Sequence, residues 1–226
     1  MQNPPSDHYI VAIDGVSGSG KSSTARTVAQ RLGILHLDTG AMYRAVTFLC
    51  LERGLQPAQV PEIRAWVTGL EWRADTSGNL TVDGRDLSRE IRSAPVNAAV
   101  SDYARISVVR DALVPVQRRI GMRQSAVVEG RDMATVVIPD ARFKFFLSAT
   151  PEVRAKRRVL ELQTLGQVAD YHDVLKNLSE RDEKDSGRAH SPLAKAQDAE
   201  EIDTSSLTFA AQVSMIIDRI KKALAG

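Results

Sequence analysis

Cysteine is almost absent. Cys50 stands alone, which excludes an intramolecular disulfide and any zinc site built on several thiolates. Long apolar runs are missing too: none approaches the ~18 residues needed to cross a bilayer, so no transmembrane helix is expected. Fourteen glycines and nine prolines in 226 residues fall well short of collagen-like or low-complexity composition. The opening MQNPPSDHY has neither a basic stretch nor an apolar core, so a secretory leader is not expected. An excess of one charge is also lacking. Lys and Arg number 30 against 28 Asp and Glu, a net charge of +2, which disfavours a general nucleic-acid binder. These absences point to a cytoplasmic protein with neither membrane nor nucleic acid as a partner.

What is present is ordinary in bulk. With 226 residues, 43% hydrophobic and 26% charged, the chain suits one globular core carrying small insertions. The basic residues are skewed, 22 Arg to 8 Lys. Arginine's planar fork matches phosphate oxygens in pairs, whereas lysine acts as a point charge. A coding bias would give the same skew, so the positions of the arginines matter more than their number.

Tyr9-Ile10-Val11-Ala12-Ile13-Asp14 is a β-branched apolar run that reads as a buried parallel strand. A glycine-rich turn follows. Ala25, Val28, Ala29 and Leu32 then recur at helical spacing, with Gly33 placed to end the helix. Residues 34–38 give a second strand, and helices are expected over 39–53, 57–68 and 95–121, the last interrupted near Ile106. Leu70–Arg73 and Leu80–Val82 flank a turn and predict a β-hairpin inserted into the α/β body. Ala126–Glu129 and Phe143–Leu147 are further core strands, and Glu201–Asp203 a last one. Residues 151–184 are helical and charged, split near Gly166; residues 208–225 form an amphipathic closing helix. One αβα core with two excursions fits this order.

Gly15-Val16-Ser17-Gly18-Ser19-Gly20-Lys21-Ser22 satisfies G-x-x-x-x-G-K-[ST] at every fixed position, between a strand and a helix. Glycines let successive N–H groups turn inward toward phosphate oxygens, and the following helix presents its positive end. Lys21 is placed to reach the β- and γ-phosphates and Ser22 to offer a hydroxyl to Mg²⁺. A nucleoside triphosphate is therefore expected on residues 15–23, through to Ser23. No N-K-x-D base-reading motif of a GTPase occurs in the chain. A kinase for a phosphate-ester acceptor would need arginines facing the γ-phosphate.

Four stretches carry a more specific likeness: Ile13–Lys21, Leu37–Arg44 (LDTGAMYR), Glu129–Val137 (EGRDMATVV) and Glu180–Arg188 (ERDEKDSGR). In order and spacing the chain resembles the bacterial cytidylate (CMP) kinases, within the nucleoside monophosphate kinases. The D-[ST]-G-A-x-Y-R and G-R-D-x-x-T-V-V segments are specific to that family; the phosphate loop alone is not. The resemblance implies a three-layer αβα P-loop kinase fold with a parallel five-stranded sheet. The core domain would cover 1–60, 101–150 and 191–226, a monophosphate-binding insertion 61–100, and a helical lid 151–190. It implies transfer of the γ-phosphoryl group of ATP to CMP or dCMP, with Mg²⁺, in pyrimidine nucleotide metabolism. A monomer is expected, since no coiled-coil seam appears.

The resemblance also implies residue roles. Asp132 would read the base: cytosine offers an amino donor that a carboxylate accepts, while uracil presents an acceptor that it repels. Taken by itself, Asp132 could as well pair with Arg131 or Arg110 at the surface. Ser101, Arg110 and Arg188 would complete the base contacts. Arg44 and Arg131 would hold the CMP phosphate, with Asp38, Thr39 and Tyr43 beside it, Thr39 also capping its helix and Tyr43 otherwise a core residue. Arg181 and Asp185 would reach the acceptor from the lid, although that spacing commonly gives only an exposed salt bridge. Lys21, Arg131 and Arg181 would be the catalytic charges. Of Arg154, Arg157 and Arg158, one or two would touch ATP, Arg157 foremost. His36, His172 and His190 show no ligand spacing and read as packing or surface residues. Glu129 and Ala134 stand where the family often has Asp and Gly, which leaves the role of Glu129 open. A kinase for UMP, AMP or a sugar-type alcohol is the alternative enzyme, and an RNA-binding nucleotide module the alternative outside enzymes.

Overall fold

The computed structural model describes residues 8–75, 79–164, 166–187 and 191–225. The first strand, β1 (Ile10–Gly15), is buried along its whole length. Its apolar residues alternate between two layers. Ile10 and Ala12 face one, Val11 and Ile13 the other, as the two-residue pleat requires. A strand covered on both sides needs such a continuous apolar run.

The loop after β1 leads into α1 (Lys21–Leu32), which buries Ala25, Val28 and Ala29. Gly33 ends it at φ 66. There Ile34 N–H donates to Ala29 O at 3.0 Å and Gly33 N–H to Gln30 O at 3.2 Å, a Schellman cap. Then come β2 (Leu35–Asp38) and α2 (Thr39–Glu52). Asp38 Oδ1 caps α2 by accepting Ala41 N–H at 2.9 Å.

Beyond α2, α3 (Val60–Val67) precedes a small antiparallel sheet of β3 (Trp72–Ala74), β4 (Leu80–Val82) and β5 (Arg85–Asp86). This replaces the expected two-stranded hairpin. Asp83 and Gly84, both at positive φ, turn the chain back and add the third strand. The helix expected over 57–68 starts only at Val60, because residues 56–59 form a turn closed by Gln59 N–H on Gln56 O at 2.9 Å. The helical stretch expected over 95–121 breaks near Ile106, as expected, into α4 (Ala94–Ala104) and α5 (Ser107–Gly121).

β6 (Ala126–Glu129) and β7 (Phe143–Ser148) flank β1. Between them lies a π-helical turn, Met133–Val137, that the sequence reading did not assign. α6 (Pro151–Thr164) and α7 (Tyr171–Ser186) follow, with Asp170 capping α7. β8 (Glu200–Asp203) and α8 (Phe209–Ala225) complete the chain. The main sheet has five parallel strands in the order β2-β6-β1-β7-β8. α1 and α8 cover one face, through Val28, Val213, Ile216 and Ile220. α2, α4 and α5 cover the other, through Met42, Val46, Tyr103 and Leu113. This is the three-layer αβα P-loop kinase fold. Among the described residues, no helix is long and apolar enough to cross a membrane.

Candidate active site

The loop from Gly15 to Gly20 leaves the C-terminal edge of the central strand, where parallel sheets place their ligands. Gly15 is at φ 149, and a Cβ there would lie 2.1 Å from the Leu147 carbonyl oxygen. No side chain fits that approach of β1 to β7. Gly20, at φ 85, turns the chain directly into α1. Lys21 is buried and its Nζ donates to Val16 O at 3.3 Å. Burial foremost, and then the positive charge of Arg131, lower its pKa from 10.5 to about 7. An ammonium held this way gains strongly from any polyanion brought to it.

Ser22 begins the exposed side of α1, and its Oγ donates to Glu129 Oε2 at 2.7 Å. Donating its proton in that hydrogen bond leaves the hydroxyl lone pairs as acceptors, so Ser22 suits a hard divalent cation. Among the described residues, no group of three or more His, Cys, Asp or Glu gathers around a common point. A cation here would therefore be shared between Ser22 and nucleotide phosphates. Ser23 is exposed beside it.

Asp14, the last side chain before the loop, was not singled out from the sequence. It is buried, and its two oxygens accept Met133 N–H and Ala134 N–H, both at 2.8 Å. A carboxylate closing an apolar strand just before a phosphate loop was the signal available. This clamp fixes the turn that starts after Asp132. Burial raises the Asp14 pKa from 3.8 to about 6, against the opposing pull of those two N–H groups.

Asp132 pairs with Arg110, as one of the plain readings had it, but the pair is buried rather than at the surface. The Arg110 guanidinium also lies 5.7 Å from the centre of the Tyr43 ring. Tyr43 itself belongs to the core. Thr39 Oγ1 donates to Glu129 O at 2.6 Å, so its hydroxyl ties α2 to β6 rather than capping its own helix. The cap is Asp38. Ser101 is buried on α4.

Arg44 on α2, Arg131 beyond β6 and Arg181 on α7 lie near enough for their charges to act on one another. Burial, then repulsion from Arg131 and Arg44, lowers the Arg181 pKa to about 10. Its Nε, shielded from solvent, has no hydrogen-bond partner among the described residues. Arg131 Nε donates to Asp185 Oδ2 at 2.8 Å. Asp185 is buried, so the exposed salt bridge that its spacing from Arg181 suggested is not what forms.

The three arginines at the start of α6 separate. Arg154 is buried; it donates to Ala149 O at 3.0 Å and Ser17 O at 2.9 Å and pairs with Asp182 at 2.6 Å. Arg157 donates to Thr204 Oγ1 at 3.0 Å and Thr204 O at 2.6 Å. Arg158 pairs with Glu161 along its own helix at 2.7 Å. Arg188 and His190 lie outside the described residues. Arg154 and Thr204 brace the phosphate loop from behind, and nothing local in the sequence marked either one for that. A cleft of about 610 Å³ between β3 and the end of α5 is lined by none of the candidate residues.

Residues 11–222 match the protein family described as cytidylate kinase. The chain is 46% identical over 214 residues to a cytidylate kinase of Pelotomaculum thermopropionicum, covering 93% of this chain and 95% of that one. It is 41% identical over 212 residues to a cytidylate kinase of Clostridium botulinum, covering 94% and 97%. An uncharacterised protein from Eubacterium ventriosum shares the fold, with a TM-score of 0.53 at 14% identity, covering 96% of this chain and 99% of that one. The matched span takes in the phosphate loop, the LDTGAMYR and EGRDMATVV segments and helices α6 and α7, and the chain belongs to the cytidylate kinase family.

Proposed function

We propose that this protein transfers the γ-phosphoryl group of ATP to CMP or dCMP, giving ADP and CDP or dCDP. The observation that carries the reading is the convergence of Arg44, Arg131 and Arg181 beside the buried Lys21. Arg131 depresses Lys21, and both Arg131 and Arg44 depress Arg181. Like charges crowded around a buried lysine from half-buried positions are held at a penalty that bound phosphates would relieve.

In this reading residues 15–23 hold the triphosphate by backbone N–H groups, with Lys21 on its terminal phosphates. Asp38, Thr39, Tyr43 and Arg44 bound the acceptor on one side, Ser101 and Arg110 on another. Asp132 accepts from the cytosine amino group, with Arg188 near the same base. Arg181 and Asp185 come from the lid. The acceptor's phosphate oxygen is already anionic, so no general base and no covalent intermediate are required. The protein aligns donor and acceptor in line, and Lys21, Arg131 and Arg181 neutralise the charge that spreads over the moving phosphoryl group. Mg²⁺, when bound with ATP at Ser22, supplies further neutralisation and orients the phosphates. Residues 61–100 act as the acceptor-binding insertion. Residues 151–190 act as the lid, whose closure keeps water from the reactive group. Arg157 serves the ATP side. The enzyme works as a cytoplasmic monomer, consistent with charged outer faces on α6 and α7.

The test is a panel of acceptors with ATP and Mg²⁺. CMP and dCMP are expected well ahead of UMP and AMP. Turnover of UMP equal to or above that of CMP would overturn the role of Asp132. Tight binding of structured RNA without acceptor phosphorylation would overturn the enzyme reading.

A further inference from the structure

A chain of three side chains ends on the phosphate loop. Ser22 Oγ donates to Glu129 Oε2 at 2.7 Å, and His36 Nε2 lies 3.1 Å from Glu129 Oε1. His36 and Glu129 are both buried, at 7% and 2% exposure. The sheet brings them together. β2 and β6 run parallel with His36 opposite Val127 and Asp38 opposite Glu129. His36 and Glu129 are thus diagonal neighbours on one face. Val127 packs on that face against the core under α1, the helix that carries Ser22.

Glu129 has three torsions to fix and a buried charge to satisfy. Burial acts to raise its pKa, but the His36 hydrogen bond, the Lys21 charge and the Ser22 hydroxyl together hold it below its usual value. Among the described residues, each carboxylate oxygen has one side-chain hydrogen-bond partner: Ser22 on Oε2 and His36 on Oε1. Without the imidazole, Oε1 would be a buried acceptor with Lys21 as the nearby cation to turn toward. That rotation would release Ser22 and draw on the lysine.

We propose that His36 is a positioning residue for the metal-binding hydroxyl: by holding Oε1 of Glu129 it keeps Oε2 on Ser22 and the Ser22 lone pairs turned toward the divalent cation that accompanies ATP. The proposal rests on reading the loop as a metal–triphosphate site, and it gives Glu129 a role that its longer side chain makes possible.

The experiment compares His36→Phe, which fills the space without a donor, with His36→Gln, which keeps one. His36→Asn, too short to reach Oε1, replaces the Phe variant if that does not fold. Affinity for a fluorescent ATP analogue is measured with and without Mg²⁺, and CMP phosphorylation is followed across a Mg²⁺ titration. His36→Phe is expected to raise the Mg²⁺ concentration for half-maximal binding and activity about tenfold, as loss of a partner behind a metal ligand does. Metal-free affinity for the analogue should stay within about twofold, and His36→Gln should stay near wild type. The proposal is overturned if His36→Phe keeps wild-type Mg²⁺ dependence, if affinity falls equally with and without Mg²⁺, or if the Gln variant falls as far as the Phe variant. A wild-type protein that binds the analogue Mg²⁺-dependently but does not phosphorylate CMP would sink the function, not this proposal.

Discussion

Arg110 on α5 and Asp132 beyond β6 close a buried ion pair, each almost fully out of solvent. Such a pair contributes less through attraction than it would lose on being broken, since a lone buried charge has no compensation. Arg110→Ala should therefore destabilise the protein by about 3–5 kcal/mol, read from urea unfolding. Asp132→Asn keeps the shape and removes the charge. It should cut the preference for CMP over UMP by roughly 1–3 kcal/mol, about 5- to 150-fold in the ratio of kcat/KM. An unchanged ratio would remove Asp132 from base reading.

Asp14 predicts a pH dependence of stability. Its carboxyl titrates near 3.8 when unfolded and is raised to about 6 by burial in the fold. Between those values the native state binds more protons than the unfolded one, so stability falls as pH rises from about 4 to about 6. The lost contribution is on the order of 3 kcal/mol, with Lys21 and Asp132 as the charges acting on Asp14. Urea unfolding of wild type and Asp14→Asn from pH 4 to 7 isolates it. The gap between the two curves should change across that window and be flat above it.

Thr204 couples α6 to the phosphate loop. Its hydroxyl lies 3.2 Å from Ser19 O and 3.0 Å from Ser148 O, and it accepts from Arg157 at 3.0 Å. Thr204→Val keeps the volume and leaves buried polar groups unpartnered, costing about 1–3 kcal/mol. If Arg157 serves ATP, the KM for ATP should rise several-fold while that for CMP stays put. Equal changes in both would make Thr204 a purely structural brace.

Local pattern made much of the fold legible. The β-branched run before Gly15, the helical spacing of Ala25, Val28 and Ala29, and Gly33 as a stop all lie within single elements, and those elements form. The third strand of the insertion depended on Asp83 and Gly84 adopting positive φ, which a turn-rich sequence permits without specifying. The site divides in the same way. Gly15–Ser22 is readable because one short loop holds all its parts. His36, Arg154 and Thr204 are not, because each acts on a residue far along the chain: Glu129, Ser17 and Ser19. Asp185 shows the same limit. Helical spacing offered Arg181 as its partner, and tertiary packing brought Arg131.

The state of Lys21 can be followed by its proton. In the free protein burial, then Arg131, lowers its pKa to about 7, while Glu129, Asp14 and Asp185 act in the opposite direction. At pH 8.5 the amine is thus largely neutral. A bound triphosphate adds negative charge against it and raises the pKa again, so binding takes up close to one proton from solution. ATP is itself fully ionised at that pH and contributes none. Calorimetry in two buffers of different ionisation heat should show the uptake as a difference in apparent binding enthalpy. Lys21→Ala should abolish it, reduce phosphoryl transfer by at least about 10²-fold, and leave the circular dichroism spectrum unchanged. Transfer near the wild-type rate in that variant would mean the loop does not hold the donor.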